Sequence, residues 1–215
     1  MDFSRTVVIS CAGMGNRLGL GTTKALVEIE GKPLIGWHLE NLSGEVDIRV
    51  VVGYQAQQVI DVVNQYRNDV TFVFNYNYQT TKTGDSVVLA AQHSNEYILS
   101  LDGDLLIHPD DMKTILAYED EFVSGGEIKS DDPWFVQVDK KDEKEYAIAF
   151  SRNAGQYEWN GITQIKSKKI LQGEGHVFQL VEPYLPLPFL PVRTCEIDTM
   201  NDYERALNWV KCGFR

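Results

Sequence analysis

A length of 215 residues suffices for one domain with a sizeable core, and a formal net charge of −11 argues against a nucleic-acid or anionic-membrane surface. No run approaches the ~18 apolar residues of a membrane span, and the opening residues lack a cationic segment followed by an apolar one, so no signal peptide is expected. Three cysteines (Cys11, Cys195, Cys212), an odd number without metal-ligand spacing, point to reduced thiols and a cytoplasmic location.

The first half of the chain alternates strands and helices. Val7–Ser10 reads as a buried strand, and Leu34–Leu42 has helical spacing behind Pro33, a residue favoured at helix starts. Ile48–Gly53 is a second buried strand, Ala56–Tyr66 a helix, Val70–Phe74 a third strand and Ser86–Gln92 a helix. Tyr97–Leu101 is a fourth strand, running into Asp102-Gly103-Asp104, and Met112–Tyr118 is a helix. This order implies a mostly parallel sheet with helices on both faces, and ligands bind such sheets beyond the strands' carboxyl ends.

From about Glu121 the rhythm changes. Phe122–Ser124, Trp134–Asp139 and Tyr146–Ser151 read as shorter strands, with a charged hairpin tip over Asp139–Lys144. Asn160–Ile165 is a further strand, Ser167–Gln172 a short helix capped by Ser167, and the proline-rich Glu182–Pro191 an extended segment. Cys195–Tyr203 into Glu204–Lys211 predicts a strand, a turn and a helix capped by Asn201 and Asp202. No repeat or linker marks a second domain.

The chemistry concentrates at the first strand's end. Cys11-Ala12-Gly13-Met14-Gly15-Asn16-Arg17 is a glycine-rich turn whose backbone N–H groups suit a polyphosphate, and Arg17 and Lys24 add cationic donors. It lacks the Gly-Lys-Ser/Thr ending of a P-loop and, with Leu18 in place, the third glycine of a dinucleotide fingerprint. With Thr23-Lys24-Ala25-Leu26 and Gly31-Lys32-Pro33-Leu34 following, the segment resembles the nucleotidyltransferases that join a nucleoside monophosphate to a sugar 1-phosphate or similar small phosphate. Their signature is approximately G-x-G-x-R, then P-K-x-L, then G-K-P; Thr23 stands where that family usually has proline.

The resemblance implies an α/β, Rossmann-like (GT-A-like) fold with one domain over residues 1–215. Residues 1–120 would form the nucleotide-binding half, 121–195 a β-rich acceptor-binding lid, and 196–215 the returning strand and C-terminal helix. It also implies Mg²⁺ held by Asp104 and by Asp198. The pattern Glu196-Ile197-Asp198-Thr199 is especially similar to bacterial choline-phosphate cytidylyltransferases. Asp102 is left open between metal contact and turn-former.

By the same resemblance Ala12, Gly13, Met14, Gly15, Asn16, Gln79, Gly84 and Asp85 bind the nucleotide, while Arg17, Lys24 and Arg152 act on the phosphates. Asp85 would lie at the base edge, where a carboxylate can accept from the amine of cytosine or adenine but finds no such donor on uracil. CTP is therefore the favoured triphosphate, the competing role for Asp85 being a helix cap. Trp134, Tyr157 and Trp159 could cage a quaternary ammonium or simply pack. The expected partners are an NTP and a small phosphorylated acceptor, with a homodimer left open and nucleic acid and membrane excluded. A molybdenum-cofactor guanylyltransferase, a glycosyltransferase of this architecture, for which Asp102–Asp104 supplies Asp-x-Asp, and an inactive regulatory subunit remain alternatives.

Overall fold

The β-branched run near the start forms the strand on which the rest is laid, β1 (Arg5–Cys11), in which Val7, Val8 and Ile9 are completely buried. The structure is a computed structural model and describes residues 3–15, 18–19 and 21–215. A small hairpin, β2 (Glu28–Ile29) and β3 (Lys32–Pro33), leads into α1 (Leu34–Asn41), β4 (Ile48–Val52), α2 (Ala56–Tyr66) and β5 (Thr71–Phe74). Then come α3 (Thr83–Ala90), β6 (Tyr97–Asp102), β7 (Leu105–Ile107) and α4 (Pro109–Ala117). The second half holds β8 (Phe122–Gly126), β9 (Phe135–Lys141), β10 (Lys144–Ser151), β11 (Tyr157–Lys166), α5 (Ser167–Ile170) and α6 (Val177–Val181). It closes with β12 (Leu187–Pro191), β13 (Thr194–Glu196) and α7 (Met200–Lys211).

Among the described residues the main sheet has nine strands in the order β5-β4-β1-β6-β11-β8-β12-β10-β9. β5, β4, β1 and β6 run parallel, as helical crossovers require, and β11 enters antiparallel beside β6. Alternate side chains go to opposite faces. Val7, Ile9, Val50, Val52, Leu99 and Leu101 pack in one core with Ile35, Leu39 and Val59, while Val8, Val51 and Ile98 pack in another with Val87, Val177 and Phe178. A third cluster seats α7, through Ala206 and Leu207, on Val27, Ile29 and Ile197. Among the described residues no helix is long and apolar enough to cross a membrane.

Several expectations shift. The region expected as a lid supplies β8 to β12 of the same sheet, and β11 is nearly central, its middle residues buried. α3 begins at Thr83 rather than Ser86, and α6 is an addition, too short for helical periodicity to show in the sequence. The proline-rich segment divides into a tight turn over Glu182–Tyr184 and β12. α7 begins at Met200, four residues earlier than expected; Thr199 is its cap and Asp202 closes the capping box from within. The short strand β7 carries no sequence signal of its own, and its pairing with β13, the strand expected from Cys195, aligns Leu105 with Glu196.

Candidate active site

The parallel strands deliver their carboxyl ends to a cleft of about 920 Å³. In register, Ser10 of β1 lies beside Asp102 of β6, so the glycine turn and the aspartate turn leave the sheet side by side. Ala12, Gly13, Gly15, Lys24, Asp104, Arg152 and Asp198 all line the cleft. Gly15 has φ +62°, and a Cβ there would come within 3.1 Å of the Thr22 carbonyl oxygen, so this turn needs glycine. Met14 is partly buried and does not line the cleft. Asn16 and Arg17 lie outside the described residues.

The loop's geometry explains Thr23. Its N–H donates to Gln55 Oε1 at 2.8 Å and its hydroxyl to the Gly13 carbonyl at 3.1 Å. Gln55 also donates through Nε2 to the Gly21 carbonyl, so one side chain from the start of α2 pins the loop. A proline at position 23 would have no N–H for this bond.

Lys24 Nζ donates to Asp104 Oδ2 at 2.7 Å and also to Asp198 Oδ1. Burial works against its charge, but the Asp104 and Asp198 carboxylates outweigh that and raise its pKa above the ordinary lysine value. Asp104 and Asp198 are brought together because Ile197 N–H donates to the Asp104 carbonyl at 3.1 Å, extending the β7–β13 pairing. The same pairing presents Glu196, so that carboxylate oxygens of Asp104, Glu196 and Asp198 lie within 4.8 Å of one another.

Sequence reasoning missed Glu196, although two carboxylates flanking Ile197 fall on one face of an extended strand. Glu196 is open to the cleft, but the concave wall strips much of its hydration. This, together with repulsion from Asp104 and Asp198, pushes its pKa up to about 8. Asp102, at the end of β6, is likewise raised to about 8 by burial and by Asp104. Its Oδ1 is buried without a partner, and its Oδ2 lies so near Gly161 (φ +81°) that a Cβ there would be 2.2 Å away. Three converging hard oxygen donors suit Mg²⁺, and the Lys24 ammonium already drawn against two of them shows that the cluster attracts positive charge.

The expected base contacts are a correction. Gly84, Asp85 and Gln79 do not line the cleft. Asp85 accepts from Lys82 N–H at 2.6 Å and from Gly175 N–H at 2.8 Å, so its two oxygens tie α3 to the segment before α6. Gly84 is glycine because a Cβ would come within 2.5 Å of the Gly175 carbonyl oxygen, and Gln79 is exposed. The cleft wall there is made instead by Asn75, Tyr78, Thr81, Lys82, Thr83 and Ser86. Asn75 is buried and donates to Thr81 Oγ1 and Ser86 Oγ, which holds the wall together.

At the far end Arg152 lines the cleft, but its guanidinium is committed to Asp132: Nη1 donates to the carbonyl at 2.8 Å and Nη2 to the carboxylate. It also lies over the Trp134 ring at 5.0 Å. The aromatic residues mostly pack on each other, Trp134 on Phe178 (4.2 Å), Trp159 on Phe150 and Tyr157 on Phe189. Trp134 and Trp159 still present surface to the cleft, and Tyr157 does not.

A strand-end cleft carrying a glycine turn, a lysine and a carboxylate cluster defines a nucleotide-handling α/β protein. The MobA-like NTP transferase domain model matches residues 7–156, and the chain belongs to this family. It is 31% identical over 153 residues to the bifunctional protein GlmU of a Nitratiruptor species, covering 69% of this chain and 34% of that protein. The chain therefore spans about a third of the length of that relative. It is 35% identical over 101 residues to the choline-phosphate cytidylyltransferase of Streptococcus pneumoniae, covering 44% and 43% of the two chains.

Solved structures share the fold. The CTP:phosphocholine cytidylyltransferase LicC from S. pneumoniae superimposes with a TM-score of 0.74 at 21% identity, over 96% of this chain and 99% of that one. The inositol-1-phosphate CTP transferase from T. maritima does so with a TM-score of 0.74 at 17% identity, over 100% and 99%. A putative glucose-1-phosphate thymidylyltransferase from Bacillus anthracis gives 0.77 at 16% identity, over 97% and 96%.

Proposed function

We propose that this nucleotidyltransferase moves a nucleoside monophosphate, from CTP by preference, to a small phosphorylated acceptor and releases pyrophosphate. The observation that carries the reading is Lys24 set between Asp104 and Asp198 at the strand ends. An acceptor phosphate oxygen would attack the α-phosphorus, forming one P–O bond as the bond to the bridging oxygen breaks. Pyrophosphate leaves with the electron pair. No covalent enzyme intermediate is needed, so the protein's work is position and charge.

In this reading the backbone around Gly13 and Gly15, with Lys24 and, by sequence, Arg17, receives the triphosphate and its departing pyrophosphate. Asp104, Glu196 and Asp198 would hold Mg²⁺, which when bound neutralises phosphate charge. Arg152 would steady the acceptor from the far wall. Preference for CTP is supported by likeness to the cytidylyltransferases above. With Asp85 committed to backbone, base selection would fall to the wall around Asn75, Tyr78 and Thr83.

The test is a pyrophosphate-release screen of four NTPs, with Mg²⁺, against choline phosphate, inositol 1-phosphate, hexose 1-phosphates and a pterin phosphate. The expected result is release with CTP and one phosphomonoester. Release only with GTP and the pterin would move the chain to guanylyl transfer.

A further inference from the structure

The acceptor's phosphate must come close to three carboxylates, so it needs cationic donors beside them. Lys24 is held by Asp104 and Asp198, and Arg152 by Asp132. Beside the acidic cluster a side chamber of about 80 Å³ opens from the main cleft, too small for a nucleoside and suited to one small tetrahedral group. Arg205, reaching in from α7, lines both spaces, as do Asn160, Lys129, Glu196 and Asp198.

Arg205 is aimed and only partly used. Its Nη2 donates to Asp202 Oδ1, the guanidinium also meets the Cys195 thiol, and Nε has no oxygen or nitrogen partner. Asp202 is itself fixed, because its Oδ2 accepts from Thr199 N–H and Thr199 Oγ1, both at 2.8 Å, and from Asp198 N–H at 3.2 Å. One carboxylate thus sets the guanidinium relative to the backbone of the cluster. Asn160, which lines the same chamber, is buried, its Oδ1 accepts from Ser124 Oγ and Ile162 N–H, and its Nδ2 is left without a partner. An arginine with donors left over, lining a small chamber next to a carboxylate cluster, suits an anion with several acceptor oxygens.

We propose that Arg205, in the chamber it shares with Asn160, forms the subsite for the acceptor's phosphate, and so selects phosphomonoester acceptors. The inference rests on the transferase reading above. A planar guanidinium can give two parallel N–H donors to one phosphate, which suits holding its third oxygen toward the α-phosphorus.

The first measurement uses inorganic phosphate as probe. The Arg205 Nε–H resonance of ¹⁵N-labelled wild type, identified by its loss in Arg205→Lys, should shift and saturate as phosphate is added; an unmoved resonance overturns the proposal. The second is kinetic. Arg205→Gln should raise the acceptor KM by about tenfold or more while leaving the NTP KM within about twofold, as loss of a charge-assisted contact confined to one substrate predicts. An unchanged acceptor KM overturns the subsite and leaves nucleotidyl transfer standing. If Arg205→Gln does not fold, the wild-type resonance decides alone. If wild type releases no pyrophosphate with any pair, the transferase reading falls, and the resonance still supports or overturns the phosphate subsite.

Discussion

Lys24 and Asp104, 80 positions apart in sequence, meet through a 2.7 Å bond from Nζ to Oδ2, and the same ammonium also meets Asp198. One cation thus holds together carboxylates that would otherwise repel each other. Lys24→Ala is expected to lower kcat/KM by roughly 3 kcal/mol or more, since in the proposed transfer its charge would face the phosphate charge that develops. It should also lower the metal-free melting temperature, and added Mg²⁺ should recover it. Wild-type kcat/KM in this variant would remove Lys24 from the phosphate site.

Divalent-ion binding should appear as thermal stabilisation without substrate. At a hundredfold excess of Mg²⁺ over its Kd the gain should be about 2.7 kcal/mol. Asp104→Asn, Glu196→Gln and Asp198→Asn should each shrink it. A Glu196→Gln protein that keeps the full shift would restrict the ligand set to the two aspartates.

Asp85→Asn tests the corrected base wall. Asparagine retains only one acceptor oxygen for the Lys82 and Gly175 N–H groups. The variant should therefore lose about 1–2 kcal/mol of stability through an unpaired donor, with the ratio of kcat/KM for CTP and UTP unchanged. A changed ratio would return Asp85 to base recognition.

Thr23→Pro should not have the stabilising effect that a rigid loop suggests. The backbone at Thr23 (φ −62°, ψ 142°) already suits proline, so the losses are the N–H bond to Gln55 and the hydroxyl bond to the Gly13 carbonyl. Melting should show a cost of about 1–2 kcal/mol, reduced but not abolished in a Gln55→Ala background, where only the hydroxyl bond remains to be lost.

His38, buried in α1 beneath the aspartate turn, has its pKa lowered to about 4 by burial, against a raising pull from Asp104. A depressed base binds fewer protons folded than unfolded. Its contribution is therefore present above pH ~6.5 and is lost as pH falls toward 4, by an amount on the order of 3 kcal/mol. Urea unfolding of wild type and His38→Gln at both ends of that window checks the sign; equal losses in the two proteins would exclude His38 as the source.

The β-branched runs, the glycine turn with Lys24, and Asp104 and Asp198 at chain turns were legible because each is a local pattern: a period, a punctuating residue, a spacing. From them alone came the parallel half of the sheet and the end at which the site lies. Glu196 joined that site through the pairing of β13 with β7, a three-residue strand with no sequence signal of its own. The place of β11 beside β6 was likewise a long-range strand partnership. Asp85 is a caution in the other direction. Its neighbours suggested a base contact, but Gly175, 90 positions later, supplied a backbone donor that engaged the carboxylate. Which polar groups are already satisfied depends on what the folded chain brings beside them, and that decides which remain free for a ligand.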